Sequence, residues 1–152
     1  MPAIKEKREA GEEFFLGEIY KNTKMGADSI IHLLPHIKDD ALRSVVTMQL
    51  DGYEKYAARA AEALAERGIE AKEENIVARL SARMGMAINT MIDSSTSHLA
   101  EMMIEGSNMG ITDMTRLLND HEPRGTGKAA ARLAREVVAF EEHNLEMLKR
   151  FL

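Results

Sequence analysis

Residues 82–118 read ARMGMAINTMIDSSTSHLAEMMIEGSNMGITDMTRLL and hold seven of the chain's 11 methionines, at 84, 86, 91, 102, 103, 109 and 114. Glycines 85, 106 and 110 and a polar knot, Asp93-Ser94-Ser95-Thr96-Ser97-His98, interrupt otherwise apolar sequence. A helix that is apolar on nearly every face needs cover on nearly every face, so the stretch predicts the centre of a helical bundle. The whole region from about Glu74 to Asn119 is too long for an ordinary helix of a chain this size. Asp, Ser and Thr compete for backbone hydrogen bonds and are preferred at caps. A break or kink at Asp93 to Ser97 is therefore expected, as an N-cap, with a small polar pocket as the other reading of the same hydroxyls.

Working outward, apolar positions upstream fall at helical spacing from about Glu12: Phe15, Ile19, Thr23, Gly26, Ile30, Leu33, Leu34 and Ile37 share one face. Pro35 stops this first helix near His36, and Ile37-Lys38-Asp39-Asp40 offers the next N-cap. A second helix runs from Asp40 to Arg67, where Gly68 stands at the position a left-handed residue commonly takes after a helix. So short a connection makes the two antiparallel. Ile69 to Asn75 is a charged connector, Asp120 to Gly127 the clearest loop, and a last helix is expected from about Thr126 to Phe151. Residues 1–11 are highly charged and read as a loosely ordered start.

At 152 residues the chain fits a single domain with a core of its own. It has no cysteine, which excludes disulfides, thiolate metal sites and a cysteine nucleophile and suits a reducing cytoplasm. No apolar leader follows Met1, and no stretch approaches about 18 uninterrupted apolar residues, so a soluble, cytoplasmic protein without a membrane partner is expected. A net charge of -5, aromatics at only 5% and no tryptophan argue against nucleic acid as a partner. The run Arg124-Gly125-Thr126-Gly127-Lys128 lacks the spacing and the preceding strand of a phosphate-binding loop. No Ser-His-Asp arrangement has a supporting local motif.

The chain also repeats itself. Met25-Gly26, Ile30 and Leu33-Leu34 superpose without gaps on Met109-Gly110, Met114 and Leu117-Leu118. In the second and last helices, Val45-Val46, Gln49 and Glu54 superpose on Val137-Val138, Glu141 and Glu146. A duplicated helical hairpin follows, with roughly twenty extra residues between the halves, around Glu73 to Asp93. They suffice to carry the chain back along a helix on the order of 40 Å long at 1.5 Å per residue.

With these two Met-Gly helices, two Val-Val helices, the segment Tyr20-Lys21-Asn22-Thr23-Lys24-Met25-Gly26 and the ending Phe140-Glu141-Glu142-His143-Asn144-Leu145-Glu146-Met147-Leu148, the chain resembles the ferritin-like superfamily. The resemblance spans most of the chain from about Glu12. It implies an all-α fold: a ferritin-like four-helix bundle of two related hairpins joined by a long, partly helical crossover. Di-iron members set a Glu from each of two helices and a Glu-x-x-His from each of the other two inside the bundle. Here the corresponding positions are Gln49-x-x-Gly52 and Glu141-x-x-Asn144, so three of the four ligand types are wrong for iron.

Two functions then compete. One is a non-catalytic structural or interaction protein that has lost the di-iron centre and forms a homo-oligomer, a dimer joined through the methionine-rich face. The other is a metal-binding bundle, for iron or manganese, with storage or oxidoreductase activity at a nonstandard site. His98, Glu101 and Glu105 stand at i, i+3 and i+7 on one helical face, and Glu18, Glu141 and His143 are the residues that would join them. Against this, acidic residues at such spacing are ordinary solvated faces in a chain that is 30% charged. The methionines read as core filler or an adaptable interface in preference to copper ligands, and glycines 26, 85, 106 and 110 as points of close helix packing.

Overall fold

The computed structural model describes the backbone of residues 2–71, 75–121 and 127–152, with side chains over 11–71, at 78 and 82, and over 84–121 and 127–152. The described residues are helical, with no strand: α1 (Pro2–Leu33), α2 (Asp40–Ala65), α3 (Asn75–Asn89), α4 (Thr96–His121) and α5 (Lys128–Leu148). Short 3-10 turns at Leu34–His36 and Lys149–Phe151 follow α1 and α5. Among the described residues no helix is long and apolar enough to cross a membrane.

Local chemistry sets most of the boundaries. Asp39 caps α2, its carboxylate accepting from the Leu42 amide at 2.8 Å. At the far end of α2 the Ile69 amide donates to Leu64 O (3.0 Å) and the Gly68 amide to Ala65 O (2.9 Å), with Gly68 at φ +75°. Those paired bonds are the Schellman closure, and Ile69 packs on the cluster that contains Leu64, completing it. The polar knot does break the methionine-rich region. There α3 stops at Asn89, Asp93 accepts from the Ser95 amide at 2.9 Å, and the Ser95 hydroxyl accepts from the His98 amide at 3.2 Å. Residues 92–95 are exposed, and the segment caps α4 and lines neither of the two cavities described below.

Two boundaries differ from expectation. The first helix begins at Pro2, some way before Glu12. Pro favours the first helical position, and the Ala, Lys, Glu and Arg that follow are strong helix formers without any apolar stripe for a periodicity reading to detect. Helix α4 continues to His121, inside the expected loop, whose residues 122–126 lie outside the described set.

Packing follows the repeat. The closest helix pairs are α1 with α2 and α4 with α5. In the first hairpin Gly26 lies under the Tyr53 ring, and in the second Gly110 lies under the Glu141 carboxyl, so the glycines that superpose in sequence each admit a side chain from their own hairpin partner. The hairpins meet through α1 against α4 and α5, and through α2 against α5. Helix α3 lies along α1, with Gly85 beside His32, and returns the chain from the end of α2 to the start of α4.

The core has two apolar clusters. One gathers Phe15, Ile19, Leu64, Met114, Leu117 and Val137; the other gathers Ile30, Ile37, Leu42, Ile88, Leu99 and Leu148. Between them each of the four main helices contributes buried polar groups: Thr23 from α1, Gln49 from α2, Ser107 from α4, and Glu141 and Asn144 from α5.

Candidate functional site

This polar layer is only partly satisfied from within. Thr23 donates to the Ile19 carbonyl of its own helix at 2.8 Å. Gln49 Nε2 donates across the bundle to the Asn144 carbonyl at 3.4 Å, and Asn22 Nδ2 to the Gly110 carbonyl at 3.3 Å. The Tyr53 hydroxyl, from the cluster next to the layer, is hydrogen-bonded to Ser107 and Glu141. Four buried polar atoms have no hydrogen-bond partner among the described residues, and three of them lie here, Glu141 Oε2, Asn144 Nδ2 and Asn22 Oδ1; the fourth is Glu136 Oε2. An unpaired polar atom in an interior costs about 1–3 kcal/mol. Such atoms call for a partner from outside the chain, whether water or a bound molecule.

A cavity of ≈ 390 Å³ opens beside them. Its walls come from α1, α3 and α4, with Met25, Met84, Met102, Met103 and Met109 among them, and Gln49, Tyr53 and Glu141 reach it from α2 and α5 behind. Five thioethers on one cavity make walls that adapt to the shape of what they enclose. Glu141 is 1% exposed and still reaches the cavity, because Gly110 has no side chain where the carboxyl lies.

Burial pushes the Glu141 carboxyl up to about 8; the bond to Tyr53 opposes the rise and the nearby charge of Asp113 adds to it. At neutral pH the group is therefore mostly protonated and can donate. Burial, with the Glu141 charge behind it, also holds the Tyr53 phenol far above its ordinary range. Glu105 and Asp113 line the same cavity, and no Lys, Arg or His does among the described residues. A second groove of ≈ 420 Å³ adjoins it, sharing Asn22, Met25 and Asp113, and is bordered by Glu18, Lys21, Arg116 and His121.

The residues proposed from sequence as metal ligands are spread over several places. Glu141 lies at the floor of the cavity and Glu105 on its lining. Glu18 borders the neighbouring groove, its carboxylate 3.0 Å from Lys21 Nζ. His98 sits in the first turn of α4 with its Nδ1 3.8 Å from the exposed Glu101, and His143 is exposed on α5. Among the described residues no group of three or more His, Asp or Glu side chains is arranged to hold a metal ion.

The ligand positions implied by the resemblance do not suit a di-iron centre either. At Gly52, where an imidazole would be required, the Phe140 ring fills the space a side chain would occupy. The Gln49 amide is already engaged with the Asn144 carbonyl.

Sequence reasoning missed Tyr53, Ser107 and Asn22. The available signal was polar residues at inward helical positions: Tyr53 lies one turn beyond Gln49, and Asn22 beside the inward Thr23. The methionines read as core filler do pack in or on the core at Met84, Met91, Met102, Met103 and Met114, and Met84, Met102, Met103 and Met109 also line the cavity.

Comparison with models of protein families, with curated proteins and with solved structures found no match to the chain.

Proposed function

We propose that this protein is a ferritin-like four-helix bundle that has lost the di-iron centre and binds a small, largely apolar molecule where that centre would be, without transforming it. Antiparallel hairpins α1/α2 and α4/α5, with α3 as the returning crossover, support the bundle assignment. The observation that carries the binding reading is Glu141 Oε2, a buried carboxyl oxygen with no partner among the described residues, on a cavity of ≈ 390 Å³ with methionine walls. Size, apolar lining and a few convergent polar groups are what small-molecule sites have in common.

Binding of N-phenyl-1-naphthylamine, a dye uncharged at neutral pH that brightens in apolar surroundings, tests the reading. The wild-type chain should bind it, and Gly106→Phe should weaken binding about tenfold or more, a loss of at least roughly 1.4 kcal/mol. Gly106 lines the cavity and has nothing within 4 Å of where a side chain would start, so the ring enters open space. A wild-type chain that leaves the dye dark, or a variant that binds it equally well, would refute cavity binding.

A further inference from the structure

We infer that the cavity's ligand is an alkylamine-type molecule, an apolar tail ending in an ammonium group, with Glu141 as its counter-charge; the inference rests on the cavity being a binding site. The lining has an electrostatic sign. Glu141 lies at its floor with one oxygen unpartnered, while Glu105 and Asp113 stand on α4, and no Lys, Arg or His lines it among the described residues. Among the described residues a carboxylate ligand would meet three acidic groups and no cation. A neutral alcohol would satisfy the Glu141 oxygen but would gain nothing from the acidic rim that the exposed Glu105 and Asp113 form. An ammonium satisfies the oxygen and draws on that acidic rim, and by pairing with the carboxyl it makes tolerable the ionised form that burial alone disfavours.

The shape agrees. Beyond the polar floor the wall is Met25, Ile30, Leu33, Met84, Ile88 and Met103, which suits an alkyl or aryl tail. Among the described residues the groups around the site are Tyr53 and Gln49 from α2, Ser107, Asp113 and, farther along the lining, Glu105 from α4, Asn22 from α1 and Asn144 on its own helix. Of these Tyr53, Glu105 and Asp113 are ionisable. Tyr53 stays protonated throughout the neutral range, so ionisation of Glu141 governs how binding changes with pH.

Linkage then separates the ligand classes. An ammonium binds the ionised carboxyl, so its affinity should rise about tenfold per pH unit between pH 6 and 7 and level off above about 8. A neutral acceptor held by the protonated acid should bind evenly up to that point and more weakly above it.

The experiment is displacement of N-phenyl-1-naphthylamine by hexylamine, hexan-1-ol and hexanoate across this pH range, in the wild-type chain and in Glu141→Gln. At pH 7 hexylamine should displace the dye at roughly a tenth of the hexan-1-ol concentration or less, with hexanoate weakest. In Glu141→Gln that preference should vanish while hexan-1-ol still competes. Equal potency of amine and alcohol on the wild-type chain, or an amine preference that survives in Glu141→Gln, overturns the assignment while leaving the cavity a binding site. Failure of the dye itself to bind overturns both.

Discussion

The Tyr53 hydroxyl on α2 and the Glu141 carboxyl on α5 are hydrogen-bonded to one another in the bundle interior. That bond is the one favourable interaction that restrains the rise in the Glu141 pKa, which burial and Asp113 both drive upward. Removing the hydroxyl in Tyr53→Phe should therefore move the carboxyl above about 8. Carboxyl carbon chemical shifts followed through a pH titration would show it; an unchanged or lower midpoint would contradict the assigned partnership.

The same carboxyl makes folding sensitive to pH. In the unfolded chain it ionises near its ordinary 4.5, and in the folded chain near 8. Between those values the folded state binds the extra proton, so stability is greatest below about 4.5, falls as pH rises, and is level above 8. At neutral pH the loss amounts to about 3 kcal/mol at 1.36 kcal/mol per pH unit. Glu141→Gln removes the titrating group while nearly keeping its shape. Its stability should fall less between pH 5 and 8 than that of the wild-type chain, as read from urea unfolding across the range; parallel curves would count against it.

Two glycines on one helix should respond oppositely to alanine. At Gly110 the added methyl overlaps the Glu141 carboxyl, which must swing away from Tyr53 to make room, and overpacking of this kind costs about 1–3 kcal/mol. At Gly106 nothing lies within 4 Å, and exchanging glycine for alanine inside a helix gains roughly 0.5–1 kcal/mol. Thermal unfolding of Gly110→Ala and Gly106→Ala should thus shift in opposite directions. A shift of the same sign in both would mean that the cavity floor is looser than its contacts indicate.

The break before α4 depends on a single hydroxyl. Ser95→Ala leaves the His98 amide without its acceptor, at a cost of about 1 kcal/mol. Denaturant midpoints provide the measurement. If the variant matches the wild-type chain, water serves this helix end as well as serine does.

Much of the fold was legible because it is written in local chemistry. Asp39, Gly68 and the Asp93–Ser97 knot each act through bonds to amides or carbonyls a few residues away, and such signals survive in one dimension. The start of α1 was expected too late because residues 2–11 carry no apolar stripe for periodicity to register. The site was harder to read. Glu141 was named, but as a metal ligand beside His98 and His143, since spacing along a helix says nothing of what faces it across the bundle. Tyr53 and Gly110 acquire meaning only when α2, α4 and α5 are brought together. No pattern along the chain marks the space those helices leave empty.

The layer of polar residues between the two apolar clusters also acts as an alignment mark. If α5 slid by one turn, about 5.4 Å, Glu141 would face the level of Met114 or of Gly106 in place of Gly110. Its carboxyl would then lose Tyr53, and Phe140 would lose the gap at Gly52. Bundles of uniform apolar helices tolerate such slippage, whereas one buried polar contact can select a single register. The polar layer that weakens this core thus helps select which of its many similar packings the chain adopts.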